Sequence, residues 1–75
     1  MNWREDWQER INHYIHNYLA EHHLTLETLT RQEKKELIDH LQQIGAFTAK
    51  NAATYIAQIL NISRASVYGY LKEEL

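Results

Sequence analysis

Residues 53–71 read "ATYIAQILNISRASVYGYL", and no other stretch of this chain constrains the architecture as tightly. Ile56, Leu60, Val67 and Leu71 recur at helical spacing, and the helical pattern is interrupted at Asn61–Ser63. Asparagine tolerates the left-handed backbone that a sharp turn needs. Ser63 is a good N-cap for a following helix. Ala57 is small where two helices would cross, and Ile56, Leu60, Ile62 and Val67 would lock the turn from inside. A small residue at the crossing, the three-residue turn "NIS" and apolar side chains that fix the angle are the requirements of a helix-turn-helix. With Val67, Tyr70 and Leu71 turned inward, the second helix projects Arg64, Ala65, Tyr68, Gly69 and Lys72. A helix held out in this way fits the major groove of B-DNA.

The segments upstream read as helices too. The chain has no proline and only two glycines, Gly45 and Gly69, and strict apolar–polar alternation is absent. A first helix is expected from about Trp3 to Glu21, with Trp3, Trp7, Ile11, Tyr14, Ile15, Tyr18 and Leu19 as its apolar stripe. That stripe is wide for packing on one neighbour. It either covers the core of a small bundle or brings Trp3, Trp7, Ile11 and Tyr14 to a second subunit or another domain. "HHLTLETLT" breaks the pattern, with Leu24, Leu26 and Leu29 anchoring a short connection that contains a helical turn. "TRQE" then offers a capping box, Thr30 with Glu33. The helix behind it buries Leu37, Ile38, Leu41 and Ile44, and Gly45 supplies a left-handed C-terminal residue. A third helix is expected from Thr48, its N-cap, carrying Ala49, Ala52, Ala53, Ile56, Ala57 and Leu60. The expectation is an all-α, four-helix single domain over residues 1–75. Residues 1–24 hold the N-terminal helix, and 48–75 the helix-turn-helix, whose recognition helix is Ser63–Leu75.

Composition narrows the function. The chain is 75 residues long, 44% hydrophobic and 24% charged, which suits one small folded domain rather than disorder. There is no cysteine, so disulfides, thiolate metal sites and cysteine nucleophiles are excluded, and a reducing cytoplasm is the expected compartment. No apolar run reaches the roughly 18 residues of a membrane span. The net charge of −2 is unevenly placed. Residues 1–47 carry five Lys/Arg against eight Asp/Glu, a balance of −3, whereas residues 48–75 carry three against two, a balance of +1. The C-terminal part is where a polyanion is best received.

Arg64 falls in the first turn of the proposed recognition helix, placed to bond a guanine bidentately or to clamp a phosphate. Ala65 and Gly69 permit close approach, and Tyr68 offers its ring edge or hydroxyl. Thr48, Lys50, Asn51, Ser63 and Ser66 lie near helix starts, where amides and short polar side chains favour phosphate oxygens. The five histidines, His13, His16, His22, His23 and His40, lack cysteine partners and a completing carboxylate pattern, so solvent-exposed histidines are expected and no metal. "EDWQE" and the pair Lys34–Lys35 read as solvated faces. No nucleophile–base or paired-carboxylate motif is present, and a four-helix chain of this size rarely builds a concave site, so neither an enzyme nor a cofactor is expected. The competing reading is a helical protein-interaction or oligomerisation module without DNA binding.

The motifs "LT..EK" and "L...GAF..K.AA..IA..L.IS.A.VY.YL" also carry a resemblance. From about Ile11 to Leu71 the chain is similar to the C-terminal helix-turn-helix domain of the YheO-like, D-arginine utilisation repressor-like bacterial transcriptional regulators. Two positions depart from that pattern: Asn61 stands where glycine is common, and Gly69 where a polar or basic side chain is frequent. The resemblance implies double-stranded DNA as partner and a PAS-like sensor domain ahead of this one in a longer protein, of which this chain is a cut-out domain or a stand-alone relative. A homodimer is expected on separate grounds, since one module this small buries little surface on DNA.

Overall fold

The computed structural model describes residues 6–72. Trp3 and residues 73–75 of the expected recognition helix lie outside the described residues. Among the described residues four helices follow one another: α1 (Trp7–Glu21), α2 (Arg31–Gln43), α3 (Ala52–Leu60) and α4 (Arg64–Lys72), with 3-10 turns at Leu26–Thr28 and Ala46–Thr48. No strand occurs among the described residues. The all-α fold read from the sequence is the fold observed.

Each helix boundary has a local cause. Asp6 precedes α1, but its carboxylate pairs with Arg10 Nε at 3.0 Å and makes no cap bond. At the other end His23 turns left-handed at φ 56°. The Leu24 amide then donates to the Leu19 carbonyl at 2.9 Å and the His23 amide to Ala20 at 3.3 Å. This pair of bonds is a Schellman closure, which satisfies carbonyls that the helix end leaves open. The break expected at "HHLTL" is thus made by a left-handed histidine, a residue that, like asparagine, is enriched there. The capping box at Thr30 is formed as expected: the Glu33 amide donates to Thr30 Oγ1 at 3.1 Å and the Thr30 amide to Glu33 Oε1 at 2.8 Å. Gly45 closes the connection after α2 at φ 86°.

The expected start of the third helix is corrected. Thr48 is not its N-cap. It ends the 3-10 turn, donating both its amide at 3.1 Å and its hydroxyl at 2.7 Å to the Gly45 carbonyl. Ala49 is extended, Asn51 is left-handed at φ 67°, and α3 begins only at Ala52. The Gly45 turn thus captures Thr48 before the helix can use it.

Ile11, Ile15, Leu37, Ile38, Leu41, Ile56 and Val67 are fully buried. α1 packs on α2 and α3, and α4 packs on the same two. α3 and α4 are nine residues each, below the roughly 12–15 at which an isolated helix holds in water. Burial of these apolar side chains, each stabilising by about 1.5–3 kcal/mol, is therefore what holds them helical.

Candidate nucleic-acid interface

The helix-turn-helix forms as its residues dictate. Asn61 turns left-handed at φ 56°; the Ile62 amide donates to the Ala57 carbonyl at 3.0 Å and the Asn61 amide to Gln58 at 3.3 Å. That closure ends α3 and swings the chain into α4 within three residues. Ser63 then caps α4, its Oγ accepting from the Ser66 amide at 3.0 Å and lying 2.9 Å from Ser66 Oγ. Ala53, Ala57 and Val67 form a small cluster of their own beside the main core, joined by Phe47, Ile62 and Leu71. The two alanines let α3 and α4 approach closely, with Val67 wedged between them.

One tie was not foreseen. Lys35, expected on a solvated face, is 3% exposed. Its Nζ donates to both carboxylate oxygens of Asp39 at 3.1 Å and to the Tyr70 carbonyl at 3.1 Å. The Tyr70 carbonyl lies near the end of the described part of α4. Arg31 adds a second contact, its guanidinium carbon 5.3 Å from the centre of the Tyr70 ring. In "RQEKKEL" helical phase sets Lys34 within the arc of Leu37, Ile38 and Leu41 and Lys35 about 60° beyond Ile38, so no local pattern marks Lys35 for burial.

α4 therefore stands fixed from two sides, with Arg64, Ala65, Tyr68, Gly69 and Lys72 all exposed, as expected. Arg64 is not extended into solvent. Its guanidinium carbon lies 5.4 Å from the centre of the Tyr68 ring, and Nη2 donates to the Tyr68 hydroxyl at 3.3 Å. This exposed pairing lays the arginine along the helix surface. Beside it a hollow of about 100 Å³ is lined by Ala49, Asn51, Ala52, Thr54, Arg64 and Tyr68 among others. It lies at the start of α3, where the Ala52 amide donates to the Ala49 carbonyl at 3.2 Å, the amides of Ala53 and Thr54 have no i−4 partner within the helix, and the Asn51 side chain makes no cap bond. An anion is favoured at such a place. Thr48, Lys50 and Asn51 are exposed close by in sequence. Ser63 and Ser66 are exposed too, although their hydroxyls already serve the α4 cap.

The expected dimer surface is only partly presented. Ile11 is fully buried in its own chain's core, so it offers nothing to a partner. Trp7 is half-buried, its ring edge-on to Tyr55 at 5.4 Å between centroids, and Tyr14 is half-buried beside Tyr18. The histidines are all exposed, and among the described residues no cluster of three or more ligand-type side chains is arranged for a metal. Among those residues, too, no helix is long and apolar enough to cross a membrane.

Fold and exposed face together define a helix-turn-helix domain. The chain belongs to the family described as HTH domain, which matches residues 10–72. It is also 51% identical over 70 residues, 93% of its length, to the transcriptional regulator DauR of Pseudomonas aeruginosa. It spans about a third of the length of that relative (33%). No solved structure matches the chain.

Proposed function

We propose that this chain is the sequence-reading DNA-binding domain of a bacterial transcriptional regulator, with α4 in the major groove. The observation that carries the reading is the fixed, outward α4: Val67 fully buried, Tyr70 held from α2, and Arg64, Tyr68 and Lys72 exposed along one flank, beside Ala65 and Gly69 opposite Val67. Arg64 reads a base edge from the first turn, and Tyr68 orients it. Ala65 and Gly69 keep that side low enough for the helix to lie deep. Thr48, Lys50, Asn51 and the first amides of α3 hold a phosphate beside the groove, with Ser63, Ser66 and Lys72 as further polar contacts. The reading involves binding without catalysis, and places the protein in the cytoplasm with the chromosome. A PAS-like sensor in the same longer protein would supply the signal.

A protein-interaction module would present a contiguous apolar patch. Tyr68, at 41% exposure, is the one large hydrophobic side chain left exposed among the described residues. A salt titration of binding to a labelled duplex of mixed sequence tests the reading. Affinity should fall steeply, with a log–log slope of about −0.9 per phosphate contacted. A chain that ignores duplex DNA at low salt would refute it.

A further inference from the structure

A second hollow, of about 280 Å³, lies on the other flank of α4 and is lined by Arg31, Ser66, Gly69 and Tyr70. Arg31 opens α2, and its guanidinium sits over the Tyr70 ring. Gly69 lies inside α4, where glycine weakens a helix relative to alanine. Among the described residues nothing asks for it: a Cβ built on Gly69 meets none of their atoms within 4 Å, and Gly69 is not among the residues with positive φ. The fold would be sounder with alanine, so the missing Cβ makes room for something outside the chain.

Helical phase indicates what that is. At about 100° per residue, Ser66 and Gly69 lie on the side of α4 away from Leu71 and Arg64, which face the hollow at the start of α3. An α-helix with its side chains is about 10–12 Å wide and the B-DNA major groove about 12 Å. A helix in that groove therefore has a phosphate wall against each flank. The first flank has the amides of α3; the second has an arginine, a hydroxyl and a bare backbone.

Building on the DNA-binding reading, we propose that the hollow between the start of α2 and the middle of α4 seats the sugar–phosphate backbone of the second groove wall. Arg31 bonds the phosphate, and Gly69 is glycine because that backbone passes too close for a Cβ. Arg31 keeps its place through the Tyr70 ring, whose backbone carbonyl is held in turn by Lys35. The hollow is thus tied to the elements that aim α4.

The experiment measures melting temperature and salt-dependent affinity for a fluorescein-labelled duplex of mixed sequence, using wild type, Gly69→Ala, Arg31→Ala and Arg31→Lys. Gly69→Ala should melt a few degrees higher yet bind at least tenfold more weakly, and no loss of folding could then explain the loss of binding. Arg31→Ala should reduce the log–log salt slope by about one, while Arg31→Lys, which keeps the charge, should retain it. A Gly69→Ala chain that binds as well as wild type would overturn the proposal while leaving the DNA-binding reading intact. So would an Arg31→Ala chain of unchanged slope, because the hollow would then face something other than phosphate. A wild-type chain that binds no duplex at all would overturn the DNA-binding reading and this seat with it.

Discussion

Arg64 shows how little a recognition side chain needs to contribute to the fold. Its contacts are to Tyr68, one turn along the same exposed face. Arg64→Ala should therefore leave stability within about 0.5 kcal/mol of wild type. Binding should respond separately. If Arg64 reads a base, about 1–3 kcal/mol is lost on a selected site and preference relaxes at one position. If it clamps a phosphate, all sequences weaken alike. Comparing the two proteins on selected and scrambled duplexes distinguishes these cases, and equal affinity on both removes Arg64 from the interface. A different residue-scale effect attends Tyr18. Burial raises its hydroxyl above the ordinary 10.0, and the Glu36 carboxylate pushes it the same way; burial and Glu21 do so for Tyr14. A raised folded-state value means that the folded chain holds the proton more tightly. The stabilisation is complete below the ordinary value and is lost as pH climbs through the raised one. Urea midpoints should fall as pH rises past about 10, and Tyr18→Phe should flatten that fall. An equally steep fall in the variant would assign the alkaline loss elsewhere.

At the scale of the element, α4 depends on two neighbours for its orientation. From α3 it has the close approach at Ala53 and Ala57 against Val67. Ala57→Leu overpacks that crossing and should cost about 1–3 kcal/mol, with DNA binding falling alongside. An unchanged melting temperature would mean that the helices do not cross there. From α2 it has the Lys35 ammonium on the Tyr70 carbonyl. Lys35→Met removes the donor and leaves that carbonyl and the Asp39 carboxylate without it, for about 1–3 kcal/mol. The neighbouring Lys34→Met, as control, should stay within about 0.5 kcal/mol. Equal effects of the two substitutions would show that the buried tie carries no stability. The loops between elements follow the same economy: His23, Gly45, Asn51 and Asn61 are the left-handed residues, each set where one element must stop before the next begins.

At the scale of the whole molecule, one copy is small for the task. The Cα extents are 31 × 26 × 21 Å, and a single module of this size buries little surface on DNA. Specific sites read by helix-turn-helix proteins usually engage two copies related by a two-fold axis. We propose a homodimer through the start of α1, using Trp7 and Tyr14, with Trp3 alongside in sequence. Sedimentation at micromolar concentration should show a dimer that Trp7→Ala weakens. A strict monomer, on duplex DNA as well as in solution, would reject this arrangement.

Local signals were enough for the class of fold. Helical spacing, the Thr30–Glu33 box, Gly45, Asn61 and Ser63 each act within a turn or two of chain, so their effects can be read before anything packs. Ala65, Tyr68, Gly69 and Lys72 follow from phase once Val67 is placed inside, whereas Arg64, only about 60° from Val67, is exposed because it opens the helix. Packing decided the rest. Lys35 is buried because its ammonium finds Asp39 and a carbonyl 35 residues away, a partner that no local pattern displays. Thr48 lost its capping role to a turn nucleated by Gly45, and Ile11 was claimed by its own core rather than by a second subunit. Arg31 joined the face of α4 only because α2 and α4 meet at Tyr70. Sequence periodicity states which side of a helix is apolar; which neighbour covers that side, and which polar groups are carried under with it, is set when the helices close on one another.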